Sequence, residues 1–304
     1  MGGKRYVRKT QEMKPYEWMV KYTGQTAWVD RRGRLVWLAL YAGLLGGGSY
    51  LTSLYFNNMF GMFVSWLIIV VLKTGLHVAH SKNPLKLWRM ILRPHTSWIS
   101  RGLIIVVLYS GFGAVQLAFS HWFPGTAAEV TLKVVTAILA IGVITYEGFA
   151  MNYVNGIPFW NSALLPLLFI LWGILTGLAL AMVFALAGGS IDVTVVVGGS
   201  LALLAIAVIF ALVYLWSATY MGPTAKQSVR VLTRGCMAFI TGGGVVLCGL
   251  AVPIAIFFYC YFAREIPTPW QAAVVVVCEI IGGLALTYAL LKAGVHSPLV
   301  PAAL

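Results

Sequence analysis

Charged residues are scarce in this chain, and the charge that it has is strongly one-sided. Only 10% of its 304 residues are charged, and eight acidic side chains stand against 21 lysines and arginines, for a net charge of +13. Hydrophobic residues make up 60% of the chain, and the mean hydropathy is +0.88. Soluble globular domains do not have such values. The sequence therefore predicts an integral membrane protein.

Cysteine and histidine are also scarce, and their positions exclude several redox centres. Cys236, Cys248, Cys260 and Cys278 form no CxxC pair or Cys/His cluster, so we expect neither an iron–sulfur cluster nor a metal site in this chain and assign the thiols to helix packing. The five histidines lie at or beyond the ends of the apolar runs. Because a transmembrane b-type haem needs axial ligands from the helices that flank it, we predict no haem.

Four further patterns are missing. The first 30 residues have no apolar core or small-residue cleavage site, so we expect no signal peptide. The alternating segments of a membrane barrel are absent, and no segment resembles a nucleic-acid-binding module. Pro166 and Pro253 do not form the matched pair of broken helices that many secondary transporters contain.

Long apolar runs dominate what is present. Runs of about 20 residues can cross a hydrocarbon core of roughly 30 Å as helices. They predict an all-α membrane protein with eight spans: 35–54, 59–78, 99–119, 129–151, 163–186, 193–218, 236–262 and 270–292. An even number of spans puts both termini on the same side of the membrane.

The basic residues predict which side that is. Nineteen of the 21 lysines and arginines lie at the N-terminus, at the connections after spans 2 and 6, and at the end of span 8, whereas only Lys133 and Arg264 lie on the other side. Short cytoplasmic loops are enriched in such residues, so we expect both termini in the cytoplasm. Anionic lipid at that surface accounts for the net charge without a nucleic-acid partner.

A phenol and a carboxylate end the fourth apolar run, at Tyr146 and Glu147. Successive helix residues point about 100° apart, so the two side chains cannot share one direction, although both can border one wide pocket. Ionisable groups at membrane depth are costly and commonly functional. Glu147 either handles protons or pairs with a loop arginine such as Arg89 or Arg93.

Three other ionisable side chains fall within the spans. Lys73 and His77 are four residues apart near the inner end of span 2 and therefore share a face. Lys73 either extends its charge to the interface or pairs with Glu147 and feeds protons toward it. Glu279, near the middle of span 8, is either one member of a helix–helix hydrogen bond or one station of a proton path.

The connection after span 2 is basic and contains Pro84 and Pro94. It predicts a short interfacial helix followed by a turn. Such a surface contacts lipid headgroups or docks a partner subunit, and charge alone does not separate the two.

Several motifs resemble the NrfD/PsrC family of membrane subunits, and the order and spacing agree across nearly the whole chain. They are the Gly-rich first span at 44–48, the segment 84–89, the element Thr96-Ser97-Trp98-Ile99-Ser100-Arg101-Gly102, and Tyr146-x-Gly148 followed by Gly156-Ile157-Pro158-Phe159-Trp160-Asn161. One position departs from the family: an Asp-Leu-Gly-Arg/Lys-Pro pattern usually stands where this chain has His80-Ser81-Lys82-Asn83-Pro84. Glu147 or His80 would then replace the missing carboxylate.

The resemblance implies a haem-free, quinone-reactive subunit of a respiratory oxidoreductase in the prokaryotic cytoplasmic membrane. Two four-helix bundles are implied, 35–161 with the quinone site and 162–292, between a basic segment at 1–34 and a tail at 293–304. The implied ligand is menaquinone or ubiquinone. The implied partners are a ferredoxin-like iron–sulfur subunit and a separate molybdopterin catalytic subunit. The alternatives are a purely structural anchor and a secondary transporter.

The resemblance and the residue patterns together give three sets of site residues. For catalysis and quinone binding we expect Tyr146 and Glu147, with Gly46, Gly47, Tyr41, Asp30, Gln25 and Trp98 around the quinone. For proton transfer we expect Lys73, His77, His80, Glu147 and Glu279. For partner docking we expect Lys82, Lys86, Arg89, Arg93 and Arg101.

Overall fold

The computed structural model describes residues 19, 21–185 and 191–299. Within this part of the chain, eight helices are long and apolar enough to cross a membrane, as predicted. Spans 1 to 8 are Gly33–Tyr55, Met59–His80, Trp98–Trp122, Ala127–Asn152, Leu164–Ala185, Val193–Tyr220, Gly235–Ala263 and Pro269–Lys292. Helices satisfy their own backbone in lipid, which is why apolar runs of this length adopt them. The predicted all-α membrane fold is confirmed.

Polar residues at the interface fix several helix starts. Asn58 accepts a hydrogen bond from Gly61 N at 2.8 Å before span 2, and Thr268 and Gln271 form a reciprocal capping box before span 8. Ser97, Thr126 and Asp192 cap three other spans with their side-chain oxygens; these are spans 3, 4 and 6. Such caps satisfy N–H groups that the first turn of a helix leaves without partners.

Two spans contain π-helical segments, Ile68–Lys73 in span 2 and Ile240–Ala251 in span 7. The connection after span 2 forms a 3-10 helix, Pro84–Leu92, with no buried residue, where the sequence predicts a short interfacial helix. A second 3-10 turn, Pro158–Trp160, precedes span 5, and a surface helix, Pro223–Leu232, follows span 6.

Spans 1 and 5 make contacts with several other spans and pack along each other. Span 1 also packs against spans 2, 4 and 8, and span 5 also packs against spans 4, 6 and 8. Span 3 packs against span 4, and span 7 packs against spans 6 and 8. Glycines allow the approach of spans 1 and 5: a methyl group at Gly177 would lie 2.6 Å from Gly48 O. The predicted domain boundary at 161/162 falls between the turn Pro158–Trp160 and span 5.

Segments from both ends of the described residues meet at one end of the helices. Thr23–Gly24 pairs antiparallel with Val295–His296, and Gln25 N donates to Gly294 O at 2.8 Å. We call this the basic end; it carries the start of span 1, the end of span 8 and the connections after spans 2, 4 and 6. That it faces the cytoplasm stays a prediction.

Candidate functional site

A buried ion pair joins spans 2 and 4 near the basic end. Lys73 Nζ contacts Glu147 Oε1, and the two side chains are 0% and 1% exposed. The ammonium also donates to Ala39 O of span 1 at 3.2 Å. A charge removed from water needs such compensation, because desolvation alone costs several kcal/mol per ion. The structure shows the pairing with Glu147 that was one alternative for Lys73. The alternative that Glu147 pairs with the loop arginine Arg89 or Arg93 is wrong, since both arginines are exposed and Glu147 is buried against Lys73.

The π-helical segment explains how span 2 turns Lys73 inward. Ile69 and Lys73 are fully buried, while Val71 and Leu72 between them face outward. Ile69 O in this widened turn accepts from Thr74 N and also from Thr74 Oγ1, the latter at 3.1 Å. Segments of this kind are uncommon and occur often at functional sites.

Gly43 of span 1 provides the space for the ion pair. A methyl group at this position would lie 2.5 Å from Glu147 Oε1 and 2.6 Å from Lys73 Nζ, closer than real contacts allow. Sequence reasoning missed Gly43. The available signal was a glycine in span 1 outside the Gly46–Gly48 run.

Tyr146 completes the cluster from the neighbouring position on span 4. The Lys73 ammonium lies 5.0 Å from the centroid of its ring, within the range of a cation–π interaction. On span 3, a methyl group at Gly102 would overlap the ring of Tyr146. Tyr146 itself is half-buried. Tyr146 and Glu147, successive residues of span 4, thus both lie beside Lys73.

Trp98 lies beside this cluster in a stack of side chains. Its ring is parallel to Phe149 within 13° at a centroid distance of 4.6 Å, and the Arg101 guanidinium lies 4.6 Å from the Trp98 ring centroid. Arg101 donates to Pro94 O at 2.7 Å and to His95 O at 2.9 Å. Arg101, predicted as a docking residue, therefore holds the loop before span 3.

Comparison with known proteins decides the family. Residues 34–298, which include all but the first residue of the eight spans, match the family described as polysulphide reductase, NrfD. The chain belongs to the NrfD family. This family and the eight apolar spans agree with the resemblance that the motifs around Tyr146 indicated.

Two relatives show how far the similarity to individual NrfD-family proteins extends. The C subunit of polysulfide reductase from Wolinella succinogenes is 34% identical over 131 residues, which is 41% of this chain and 41% of that protein. Protein NrfD of Escherichia coli is 25% identical over 257 residues, which is 74% of this chain and 79% of that protein. The first match spans less than half of the relative's length.

Two residues that we predicted around the quinone lie elsewhere in this NrfD-family protein. Gln25 Nε2 donates to Leu291 O at 2.7 Å, and Asp30 pairs with Lys292 at 3.0 Å. Gln25 thus donates to one of the last carbonyls of span 8, which lack donors within the helix, and Asp30 accepts from the side chain of its last residue. The geometry gives them no contact with the buried ion pair.

Tyr41, Gly46 and Gly47 also pack against other helices rather than lining open space. A methyl group at Gly283 of span 8 would lie 2.6 Å from Tyr41 Cε2, which places the Tyr41 ring against span 8. A methyl group at Gly46 would lie 2.7 Å from an Ile69 side-chain carbon, and one at Gly47 2.6 Å from Ile144 Cγ1. Side chains of spans 2 and 4 thus fill the room predicted for a flat ligand.

The predicted proton-transfer residues fall into two places. His77 lies one turn beyond Lys73 and is half-buried, and His80 Nδ1 lies 3.0 Å from Arg32 O at the surface. These residues and Glu147 form one region. Glu279 is buried in span 8, and no ion pair of the described residues joins it to Lys73 or Glu147.

The remaining predicted docking residues form an exposed basic surface. Lys82, Lys86, Arg89 and Arg93 are all exposed on or beside the 3-10 helix Pro84–Leu92. Leu85 is 90% exposed and Trp88 58% exposed on the same helix. The surface therefore combines charge with apolar side chains.

Sequence reasoning also missed a polar network in spans 1, 3 and 4 toward the opposite end. Tyr50 OH donates to Gln116 Oε1 at 2.6 Å, Gln116 Nε2 to Ser120 Oγ at 2.8 Å, and Ser120 Oγ to Glu129 Oε1 at 2.7 Å. Lys133 pairs with Glu129 at 2.7 Å. Because each member has a partner, the network fits a structural role.

Proposed function

We propose that this protein binds a quinone or quinol beside Tyr146 and exchanges electrons between the membrane quinone pool and an iron–sulfur partner subunit. The observation that supports this proposal is the buried ion pair of Lys73 and Glu147 in contact with the Tyr146 ring. Ionisable groups at membrane depth are rare and commonly mark functional sites. The match to the NrfD family is consistent with a complex of the appropriate kind.

The residues present fit a quinone headgroup. Such a ligand has two carbonyl oxygens and supplies chemistry that takes up or releases two electrons and two protons. Tyr146 is half-buried, so one side of its phenol can face a ligand while Gly102 packs against the ring. Its O–H would donate a hydrogen bond to a quinone oxygen.

The ion pair supplies charge stabilisation and proton exchange. An ammonium held in an apolar environment stabilises negative charge developing nearby far better than it would in water. Lys73 occupies that position beside the Tyr146 ring. Glu147 would hold or release the proton that follows the electron, and it would do so without leaving contact with Lys73.

Protons would reach the ion pair from the basic end. His77 lies one helical turn from Lys73, and His80 lies at the surface less than one turn further. Imidazole is the side chain whose charge changes most readily near neutral pH. The two histidines would therefore carry protons between the aqueous phase and Lys73.

The iron–sulfur partner would dock on the exposed surface around Pro84–Leu92, and a molybdopterin subunit would dock on that partner. The surface is basic through Lys82, Lys86, Arg89 and Arg93, and it is next to the loop that begins span 3, the span that contacts Tyr146. The distribution of lysine and arginine favours the cytoplasmic side of the membrane for this surface and its partners. Because the two relatives are bacterial, this membrane would be the inner membrane of a prokaryotic cell.

Replacement of one oxygen tests the proposal. Tyr146→Phe removes the hydroxyl but keeps the ring on Gly102 and Lys73, so we expect quinol turnover to fall roughly tenfold to a hundredfold, the effect of about 1.4–2.8 kcal/mol, with assembly intact. Tyr153→Phe, at an exposed tyrosine of the following loop, is the matched control and should retain turnover. Equal turnover in both variants, with no inhibition by quinone analogues, would indicate a purely structural anchor.

A further inference from the structure

A second polar cluster lies inside the membrane region, apart from the ion pair. Glu279 of span 8 is 1% exposed, and Tyr41 of span 1 and Trp172 of span 5 are also buried. Among the residues that the structure describes, Glu279 Oε2, Tyr41 OH and Trp172 Nε1 have no hydrogen-bond partner. A buried polar atom without a partner destabilises the folded protein, so three such atoms together require an explanation.

The three side chains converge on one face of span 8. A methyl group at Gly283 would lie 2.6 Å from Tyr41 Cε2 and 3.4 Å from Trp172 Cδ1, the carbon bonded to the indole nitrogen. Glu279 precedes Gly283 by four residues, one helical turn, and therefore lies on the same face. Spans 1, 5 and 8 each contribute one polar group to this cluster.

Span 7 also borders the cluster, and Pro253, which is buried there, has no N–H group to donate to the helix backbone. A methyl group at Gly249, in that part of span 7, would lie 2.9 Å from Trp172 Cζ2 and 3.0 Å from Gly282 Cα. This stretch of span 7 thus borders the cluster.

The hydrogen-bonding groups of Glu279, Tyr41 and Trp172 indicate which ligand fits the cluster. In the described part of the protein Glu279 belongs to no ion pair, and an isolated carboxylate in an apolar interior is too costly to persist, so the carboxyl is neutral. A neutral carboxyl, a phenol and an indole N–H are all donors. A metal cation does not fit three donors, whereas water accepts from two of them and donates to the carboxyl oxygen.

We propose that spans 1, 5, 7 and 8 enclose a hydrated proton-binding site in which bound water links a neutral Glu279 carboxyl to Tyr41 and Trp172. The site is separate from the ion pair of Lys73 and Glu147 and does not depend on quinone binding there. Its proton exchanges with solvent hydrogen when the surrounding helices open locally.

Infrared spectroscopy of the full-length protein, purified with its co-purifying subunits, tests this site. We expect a C=O stretching band of a protonated carboxyl in the unaltered protein, which Glu279→Gln removes and Glu265→Gln, at an exposed loop carboxylate, leaves in place. Tyr41→Phe and Trp172→Phe should shift that band. In heavy water the band should move within minutes to hours, the timescale on which hydrogen exchange reports opening.

Three outcomes would overturn the proposal: no band that depends on Glu279, a band that neither Tyr41→Phe nor Trp172→Phe shifts, or a band that heavy water does not move. If Glu279→Gln fails to assemble, isotope-labelled glutamate in the unaltered protein and in Tyr41→Phe decides the question. A label-sensitive carboxyl band that differs between these two proteins supports the site, and identical spectra contradict it.

Discussion

Lys73 and Glu147 place two full charges in the membrane interior, where the desolvation cost of either charge alone would be prohibitive. Each charge therefore depends on the other. The two side chains are fully buried and contact each other, while Ala39 O accepts a further hydrogen bond from Lys73. Removing one member of such a pair leaves the other charge without compensation, whereas removing both does not. Stability and function can therefore be separated by experiment.

Lys73→Met and Glu147→Met should each lower the free energy of unfolding by about 3–5 kcal/mol, because each leaves one buried charge unpaired. The double variant should regain most of that stability, since two apolar side chains of similar length pack in the same place. Thermal unfolding in detergent measures both effects. We expect the stable double variant to lack quinol turnover; a double variant with normal turnover would show that the ion pair is structural only.

Gly43→Ala should displace the ion pair, because the added methyl group would lie 2.5–2.6 Å from its two charged atoms. We expect a lower midpoint of thermal unfolding and reduced quinol turnover. Gly111→Ala is the matched control: a methyl group on that span 3 glycine meets no atom within 4 Å. Equal effects of the two substitutions would show that Gly43 matters for helix propensity and not for the site.

Two helical segments that are not α-helical determine the position of Lys73 and the surface beside the candidate site. The π-helical turn Ile68–Lys73 directs Lys73 inward, and the 3-10 helix Pro84–Leu92 presents an exposed basic and apolar surface beside span 3. Neither helix type is evident from the sequence, because hydropathy does not distinguish a π turn from an α turn and proline only marks where a helix can begin. Both were predicted simply as helix.

Replacing Lys86, Arg89 and Arg93 together by glutamine should weaken co-purification of the iron–sulfur partner, more so as salt is raised, because charge steers and orients docking. Lys226, Arg230 and Arg234 offer a matched control, since they are also exposed and equally numerous on and beside the surface helix Pro223–Leu232. Equal loss of partner from both triple variants would contradict docking at Pro84–Leu92.

For the whole molecule, the hydropathy pattern and the lysine and arginine count predicted eight spans and a common basic end. The spans are confirmed because length and apolar composition alone specify them in lipid. Gln25 and Asp30 show the limit of sequence reasoning: both are polar and lie just before span 1, yet they bind the end of span 8. Contacts between distant segments depend on helix register and rotation, which one sequence does not reveal.

The positive charge at the basic end predicts that this end faces the cytoplasm. A reporter that is active only in the cytoplasm should give a signal when it is fused after span 8, and a reporter that is active only outside should not. The same pair of reporters inserted at Gly125, in the connection between spans 3 and 4, should give the opposite result. A periplasmic signal from the fusion after span 8 would reverse the orientation and put the partner outside the cytoplasm.

The most direct measurement of quinone binding is labelling by a photoreactive quinone, followed by mass spectrometry of the labelled peptides. The proposed site predicts labels on peptides around Tyr146 of span 4, Gly102 of span 3 and Lys73 of span 2, and excess natural quinone should suppress them. Labels confined to spans 5–8, or labelling that natural quinone does not suppress, would contradict a quinone site beside Tyr146.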